Sequence, residues 1–101
     1  MAYELKEKEI QKQILEYLQL KRIFHFRNNV GAGMMGKRFV RFGIPGAPDI
    51  FALKNGMLYG IEVKRPGSKQ SPLQKEFGDK MNANGGVYRV IFSLDQVLEI
   101  L

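Results

Sequence analysis

The stretch Pro48–Lys64, PDIFALKNGMLYGIEVK, decides the reading of this chain. Asn55-Gly56 sits at its middle between two apolar runs, and Asn-Gly in that setting is the strongest short-range hairpin signal. A two-residue turn there pairs Lys54 with Met57. The same register brings Asp49 opposite Glu62. Directly opposed strand residues hold their Cβ atoms about 4.5–5.5 Å apart. Side chains alternate between faces, so Glu62 and Lys64 point the same way. One end of the hairpin therefore gathers Asp49, Glu62 and Lys64. Two opposed carboxylates destabilise a sheet unless positive charge lies between them, and a divalent cation is the natural candidate.

Working outward, Ile50 and Ala52 share one face of the hairpin with Met57, Tyr59, Ile61 and Val63, the expected core face. Phe51, Leu53, Leu58 and Gly60 share the face of the polar cluster, which the first helix is expected to cover. That helix is predicted from Tyr3 to Leu20, with Ile10, Ile14, Tyr17 and Leu18 as its buried stripe and Glu9 at the stripe edge. A first strand is predicted over Ile23–Arg27, interrupted by the turn formers Asn28 and Asn29. Gly31 to Gly46 reads as a basic glycine-rich loop carrying Lys37, Arg38 and Arg41, with a short extended piece at Phe39, Val40 and Phe42. Pro45, Gly46 and Pro48 fix the approach to Asp49.

Past the hairpin, Ser71-Pro72-Leu73-Gln74 reads as a capping box opening a second helix, with Leu73, Phe77 and Met81 as its buried stripe. Asn84-Gly85-Gly86 ends it. Val87–Phe92 reads as a central strand, and Ser93-Leu94-Asp95-Gln96 repeats the capping pattern before a short helix to Leu101. The order implies a single α/β domain over residues 1–101 on a mixed sheet.

Composition narrows the function. The chain has 101 residues, 45% hydrophobic and 26% charged, as in an ordinary globular domain. It holds no cysteine, which excludes disulfides and thiolate metal sites and fits a cytoplasmic location. No apolar run reaches the roughly 18–20 residues of a membrane span. A net charge of +6 on so small a domain favours a polyanionic partner, most often nucleic acid. Lys37, Arg38, Arg41, Arg65 and Lys69 are the expected phosphate contacts. Mg²⁺ or Mn²⁺ suits a site of carboxylates with a lysine; zinc does not, because His25 is the only histidine.

Pro48-Asp49, a gap of thirteen positions from Asp49, then Glu62-Val63-Lys64 resembles the PD-(D/E)xK nuclease pattern. The preceding helix with Glu9, the run Gly43-Ile44-Pro45-Gly46-Ala47-Pro48-Asp49, and Ser71-Pro72-Leu73-Gln74 make the chain look specifically like a virus-type replication-repair nuclease (VRR-NUC) domain. The resemblance runs from Glu9 to the last helix. It implies an αβββαβ restriction-endonuclease-like core and metal-dependent cleavage of DNA, similar to Holliday-junction resolvases. By the motif, Asp49 and Glu62 would be metal ligands, joined by the Val63 backbone carbonyl and by Glu9, directly or through a bound water, with Glu7 or Glu16 as alternatives for that role. Lys64 would orient or activate water and stabilise phosphate charge, and Gln74 would contact water or substrate. With one site per chain, the resemblance points to a symmetric homodimer cutting branched, four-way DNA. Val97, Leu98, Ile100 and Leu101 are available for the dimer contact or the core. The alternatives are a flap or splayed-arm nuclease acting on one strand, and a catalytically inactive DNA-binding module. A viral origin, and with it a host cytoplasm, is implied by the family likeness alone.

Overall fold

The computed structural model describes residues 5–28 and 31–101, with backbone only at 31–33 and 40–42. Tyr3 and Asn29 lie outside the described residues.

The first helix, α1, spans Glu7–Leu20 and buries Ile10, Ile14 and Leu18, the stripe that its apolar spacing dictates. It starts no earlier because Leu5 and Lys6 are not helical, and Lys6 at the N-cap has no oxygen with which to cap. At its other end Arg22 takes a left-handed φ of 56°. The Ile23 amide then returns to the Leu18 carbonyl at 3.0 Å. This hydrogen bond is of the Schellman type, with arginine where glycine is usual. It absorbs Ile23, so the first strand, β1, is Phe24–Arg27.

Two strands follow where a loop was expected. β2 (Gly31–Met35) and β3 (Arg38–Phe42) pair antiparallel as a separate two-stranded sheet. Gly36 supplies the positive φ, 65°, at their two-residue turn. The glycine density argued for irregular structure, but here one glycine makes the turn and Phe39, Val40 and Phe42 supply a strand-forming run.

The central hairpin keeps its expected register. β4 (Ile50–Lys54) and β5 (Met57–Val63) pair Ile50 with Ile61 and Lys54 with Met57, around Asn55 at φ 52° and Gly56 at φ 80°. The second helix, α2, is Pro72–Ala83, followed by β6 (Val87–Ile91) and the short α3 (Leu94–Leu98). The four-stranded sheet runs β1-β4-β5-β6, antiparallel except for β5 with β6. This is the mixed αβββαβ arrangement with a terminal short helix, the β2–β3 arm being inserted between its first two strands.

Ile50, Ala52, Ile61 and Val63 form the core face with Ile10, Ile14 and Leu18 of α1, Ile91, Val97 and Leu101. So α1 covers the core face, not the polar-cluster face. α2 covers the latter: Phe77 meets Phe51 edge-on at 6.4 Å, and Met81 lies over Gly60. Alternation distinguishes the two faces of a strand but does not say which helix lands on each. Leu73 is exposed; α2 turns Gln74, Phe77, Gly78 and Met81 inward instead. β6 is an edge strand rather than a central one, its apolar character coming from cover on both faces by Gly78 against Tyr88 and by the core around Ile91. Ser93 makes no side-chain cap; Gln96 reaches back to the Phe92 amide at 2.7 Å, and the helix stops at Leu98. Val97 and Leu101 are buried in the core, which leaves Leu98 as the exposed large residue of that segment.

Candidate active site

Asp49 sits just before β4, at the end of the sheet from which the arm leaves. Its entry is rigid. Pro48 is fully buried, and Gly46, at φ 82°, lies so close to α2 that a Cβ there would be 2.7 Å from the Leu73 carbonyl oxygen. The Asn28 amide donates to the Asp49 carbonyl at 2.8 Å. The ladder ends at Ile50 and Ile61, and the side chain of Asp49 continues it: Oδ2 accepts from the Val63 amide at 2.8 Å. One carboxylate oxygen is thereby fixed by the backbone of the facing strand.

Glu62 projects from β5 towards α2 and is 2% exposed. Its Oε1 accepts from Gln74 Nε2 at 3.0 Å and lies 3.8 Å from Lys64 Nζ. Its Oε2 is buried and receives no donor among the described residues, and the Glu62 carboxyl, when protonated, shares a hydrogen bond with Asp49. Burying an unsatisfied carboxylate oxygen is costly. Burial pushes the Glu62 carboxyl up to about 8, and the adjacent negative charge of Asp49 adds to the rise; Lys64 opposes it. Asp49 is also raised, again first by burial, while the Val63 amide and Lys64 pull the other way. The pair holds a proton that ordinary carboxylates would have lost. A divalent cation relieves the same three faults: the orphaned oxygen, the burial of charge and the mutual repulsion. The donor set is all oxygen and therefore fits Mg²⁺ or Mn²⁺.

Lys64 follows on the same strand face as Glu62, its backbone pinned by donation to the Ile91 carbonyl at 2.9 Å. Gln74 holds two positions at once. Ser71 Oγ accepts from its amide at 3.2 Å and its Oε1 accepts from the Ser71 amide at 2.8 Å, closing the capping box. Because Oε1 is engaged there, Nε2 faces Glu62 as a donor. The cap thus orients the amide that holds Glu62.

The helix carboxylate beside this cluster is Glu7. Its Oε1 accepts from the Arg65 amide at 3.4 Å, and its charge raises both Asp49 and Glu62. Glu9, two residues on, lines a different cleft of about 600 Å³ between α1 and β1, with Lys12, His25 and Arg27. Among the described residues no group of three or more His, Asp or Glu converges as a metal-holding set by itself. Two carboxylates therefore form the anionic centre. Tyr88, on β6, adds a wall that sequence reasoning missed. Gln70 donates to its hydroxyl at 2.9 Å; burial raises the phenol to about 12, and the charges of Glu62 and Asp49 add to the rise. Nothing in the chain signals this, because Tyr88 reaches the site through the parallel pairing of β6 with β5.

Among the expected phosphate contacts, Arg65 and Lys69 are exposed on the segment after β5, and the Arg65 amide donates to Glu7 Oε1 at 3.4 Å. Lys37 and Arg38 are exposed at the tip of the β2–β3 arm; the side chain of Arg41 lies outside the described residues. His25 is half-buried, its Nδ1 2.7 Å from the Ile23 carbonyl, and is not part of the cluster. Asn28 is more than a turn former: its side-chain amide exchanges two hydrogen bonds with the Ile44 backbone, at 3.3 and 3.2 Å, and so closes the base of the arm.

No family model and no curated protein matches this chain. Among solved structures, one described as a VRR_NUC domain superposes on it with a TM-score of 0.67, covering 95% of each chain at 20% sequence identity. The protein has the fold of a VRR_NUC domain along nearly its whole described length.

Proposed function

We propose that this protein is a divalent-metal-dependent endonuclease that hydrolyses phosphodiester bonds in branched DNA. The observation that carries the reading is the buried Glu62, whose Oε2 receives no donor, paired with Asp49 and with its Oε1 3.8 Å from the Lys64 ammonium. A polar cluster of this cost, set at the end of a well-packed hairpin, is the kind of strain that functional sites keep. The fold match and the net charge of +6 support nucleic acid as the substrate.

Asp49, Glu62 and the Val63 carbonyl would hold the ion, with Glu7 or Glu9 at its outer edge. A bound divalent ion supplies Lewis acidity, which generates a nucleophile from water and neutralises phosphate oxygens. The residues of the chain do the rest. The Val63 amide and Gln74 hold the two carboxylates in place. Lys64 presents a cation beside Glu62, where it orients the attacking water and offsets charge developing on the phosphate. Glu62 gives up its proton on loading, so metal binding tightens as pH rises. Arg65 and Lys69 bind the flanking backbone.

We assign the active unit as a homodimer whose two sites cut opposing strands of a four-way junction. Support comes from the apolar face that α2 leaves open: Phe24, Phe26, Leu53 and Leu58 share it through the pairings Phe24 with Leu53 and Leu53 with Leu58, and all four are exposed. Among the described residues no helix is long and apolar enough to cross a membrane.

The test is cleavage of four-way junction, flap and linear duplex DNA with Mg²⁺, Mn²⁺ or EDTA. Paired nicks on the junction that vanish with EDTA and with Asp49→Ala support the reading. Cleavage of one strand of the flap alone replaces it with the single-strand alternative. Binding without metal-dependent cleavage on every substrate overturns the enzyme. A monomer in solution and on junction DNA overturns paired cutting.

A further inference from the structure

The β2–β3 arm is the part of the molecule that the catalytic reading leaves without an explanation. Among the described residues its strands pair only with each other. An isolated two-stranded hairpin is marginal in water. This one also turns its large apolar side chains outward: Met34 and Phe39 are each 63% exposed and Met35 is 70% exposed. Met34 faces Phe39 across the ladder, so the two make one apolar pair on one face near the tip. Lys37 lies in the turn, and Arg38 opposes Met35 on the other face.

Charge narrows what such a tip is built to meet. Between Glu16 and Asp49 the sequence holds six Lys and Arg residues, Lys21, Arg22, Arg27, Lys37, Arg38 and Arg41, and no Asp or Glu. The other segments nearly balance, so this region carries the net charge of +6. Two copies meeting arm to arm would bring like charges together. A polyanion with exposed flat apolar surfaces satisfies both halves of the tip: phosphates for the cations and unstacked base faces for the aromatic ring. A smooth duplex offers only the first, whereas a branch point offers both.

We propose that the β2–β3 arm is a wedge, in which Phe39, backed by Met34, stacks on a base at a break in the duplex while Lys37 and Arg38 hold the phosphates beside it. This deepens the nuclease reading, on which the identity of the ligand as DNA rests. The arm is tethered for the task. Asn28 clamps its base to Ile44, and the chain runs from there through Gly46 and Pro48 to Asp49. The base of the arm, though not its tip, is thereby held next to the segment that leads into Asp49.

The experiment measures binding of the full chain to four-way junction and to unbroken duplex, by anisotropy without divalent metal, over a series of salt concentrations. Phe39→Ala weakens junction binding by roughly 5- to 100-fold, the worth of one base–aromatic stack. It leaves the salt slope and duplex binding unchanged, and Phe39→Trp restores the junction affinity. Lys37→Ala with Arg38→Ala weakens both DNAs and lowers the slope by about 1.8. All these side chains are exposed, and unchanged circular dichroism checks the fold. Phe39→Ala binding like wild type, or losing duplex and junction equally, overturns the wedge. So does a shift in oligomeric mass on Phe39→Ala, which assigns the arm to a second copy instead. If wild type binds neither DNA, the nuclease reading falls with it. If Phe39→Ala binds normally while Asp49-dependent cleavage persists, the wedge alone falls.

Discussion

Two hairpins in this molecule share a local design and have opposite surroundings. Each is antiparallel and closed by a two-residue turn with a glycine at positive φ, Gly56 at 80° and Gly36 at 65°. The β4–β5 hairpin lies inside the sheet. Ile50, Ala52 and Ile61 are 0% exposed and Val63 1%, with α1 on one face and α2 on the other. The β2–β3 hairpin stands apart with its apolar tip in solvent. Turn chemistry makes a hairpin; packing decides what it is good for. Carboxylates that must meet at hydrogen-bonding distance need a frame that does not yield, and Asp49 and Glu62 have one. The arm has no such frame, and under the wedge proposal its exposed tip is what DNA would meet.

The sharpest way to break this contrast is at the carboxylates. Asp49→Ala removes the side chain that takes the Val63 amide and leaves Glu62 as the one carboxylate at the centre. The expected loss of cleavage is roughly a thousandfold, several kcal/mol of charge stabilisation, and EDTA on wild type has the same effect. On the proposed division of labour DNA binding persists, carried by the arm and by Arg65 and Lys69. If Asp49→Ala abolishes binding as well, the two hairpins do not divide the work.

Next in size is a dependence of stability on pH in the metal-free protein. Glu62 titrates near 4.5 when unfolded and at about 8 when folded, so the folded chain holds more protons between those values. Stability is then highest below pH 4.5 as far as this group is concerned, and falls as pH rises through about 8. The loss is of order 2 to 4 kcal/mol and appears as a falling Tm in EDTA. Mg²⁺ restores the Tm at high pH, and Glu62→Gln flattens the dependence. A slope unchanged in Glu62→Gln assigns the effect to other groups.

Much of the rigid hairpin was legible in the sequence, and the reason is range. The register of β4 with β5 follows from Asn55-Gly56 and alternation, both local. The capping box of Ser71 and Gln74 is four residues long. What local rules leave open depends on assembly. Helical spacing puts Glu7 on the α1 stripe itself, three residues before Ile10 and seven before Ile14, and Glu9 about 100° away from Ile10; the choice of Glu9 follows the family resemblance and not the spacing. Apolar character favours Leu73 over Gln74 for burial, yet Gln74 turns inward to Glu62, whose burial no local rule foresees. In the arm, glycine density points to a loop and masks the strand preference of Phe39, Val40 and Phe42.

Gln74 offers a finer test, because its cap and its contact with Glu62 can be separated. Ser71→Ala breaks the cap and costs about 1 kcal/mol of stability. Gln74→Ala costs as much and also frees Glu62 Oε1, so cleavage falls by about 10- to 100-fold, the usual effect of losing a partner of a metal-holding side chain. Equal cleavage in the two variants would mean that Gln74 is a cap and nothing more.

The smallest effect bears most directly on the two hairpins. A Cβ at Gly60 would lie 2.8 Å from Pro48 Cγ and 2.9 Å from Met81 Sδ. Met81 is flexible and can give way. The Pro48 ring cannot move without moving Asp49. Gly60→Ala is therefore expected to cost about 1–3 kcal/mol, with a lower Tm and slower cleavage together. A Cβ at Gly36 meets nothing within 4 Å, so Gly36→Ala incurs only the backbone strain of its positive φ, about 1 kcal/mol. That strain falls on a hairpin whose opening leaves the core intact, so calorimetry should find the Tm unmoved while amide exchange at Met34–Phe39 speeds up. If Gly36→Ala lowers the Tm as much as Gly60→Ala, the arm folds as one unit with the body. The distinction between a rigid catalytic hairpin and a yielding DNA-contact hairpin would then be one of exposure alone.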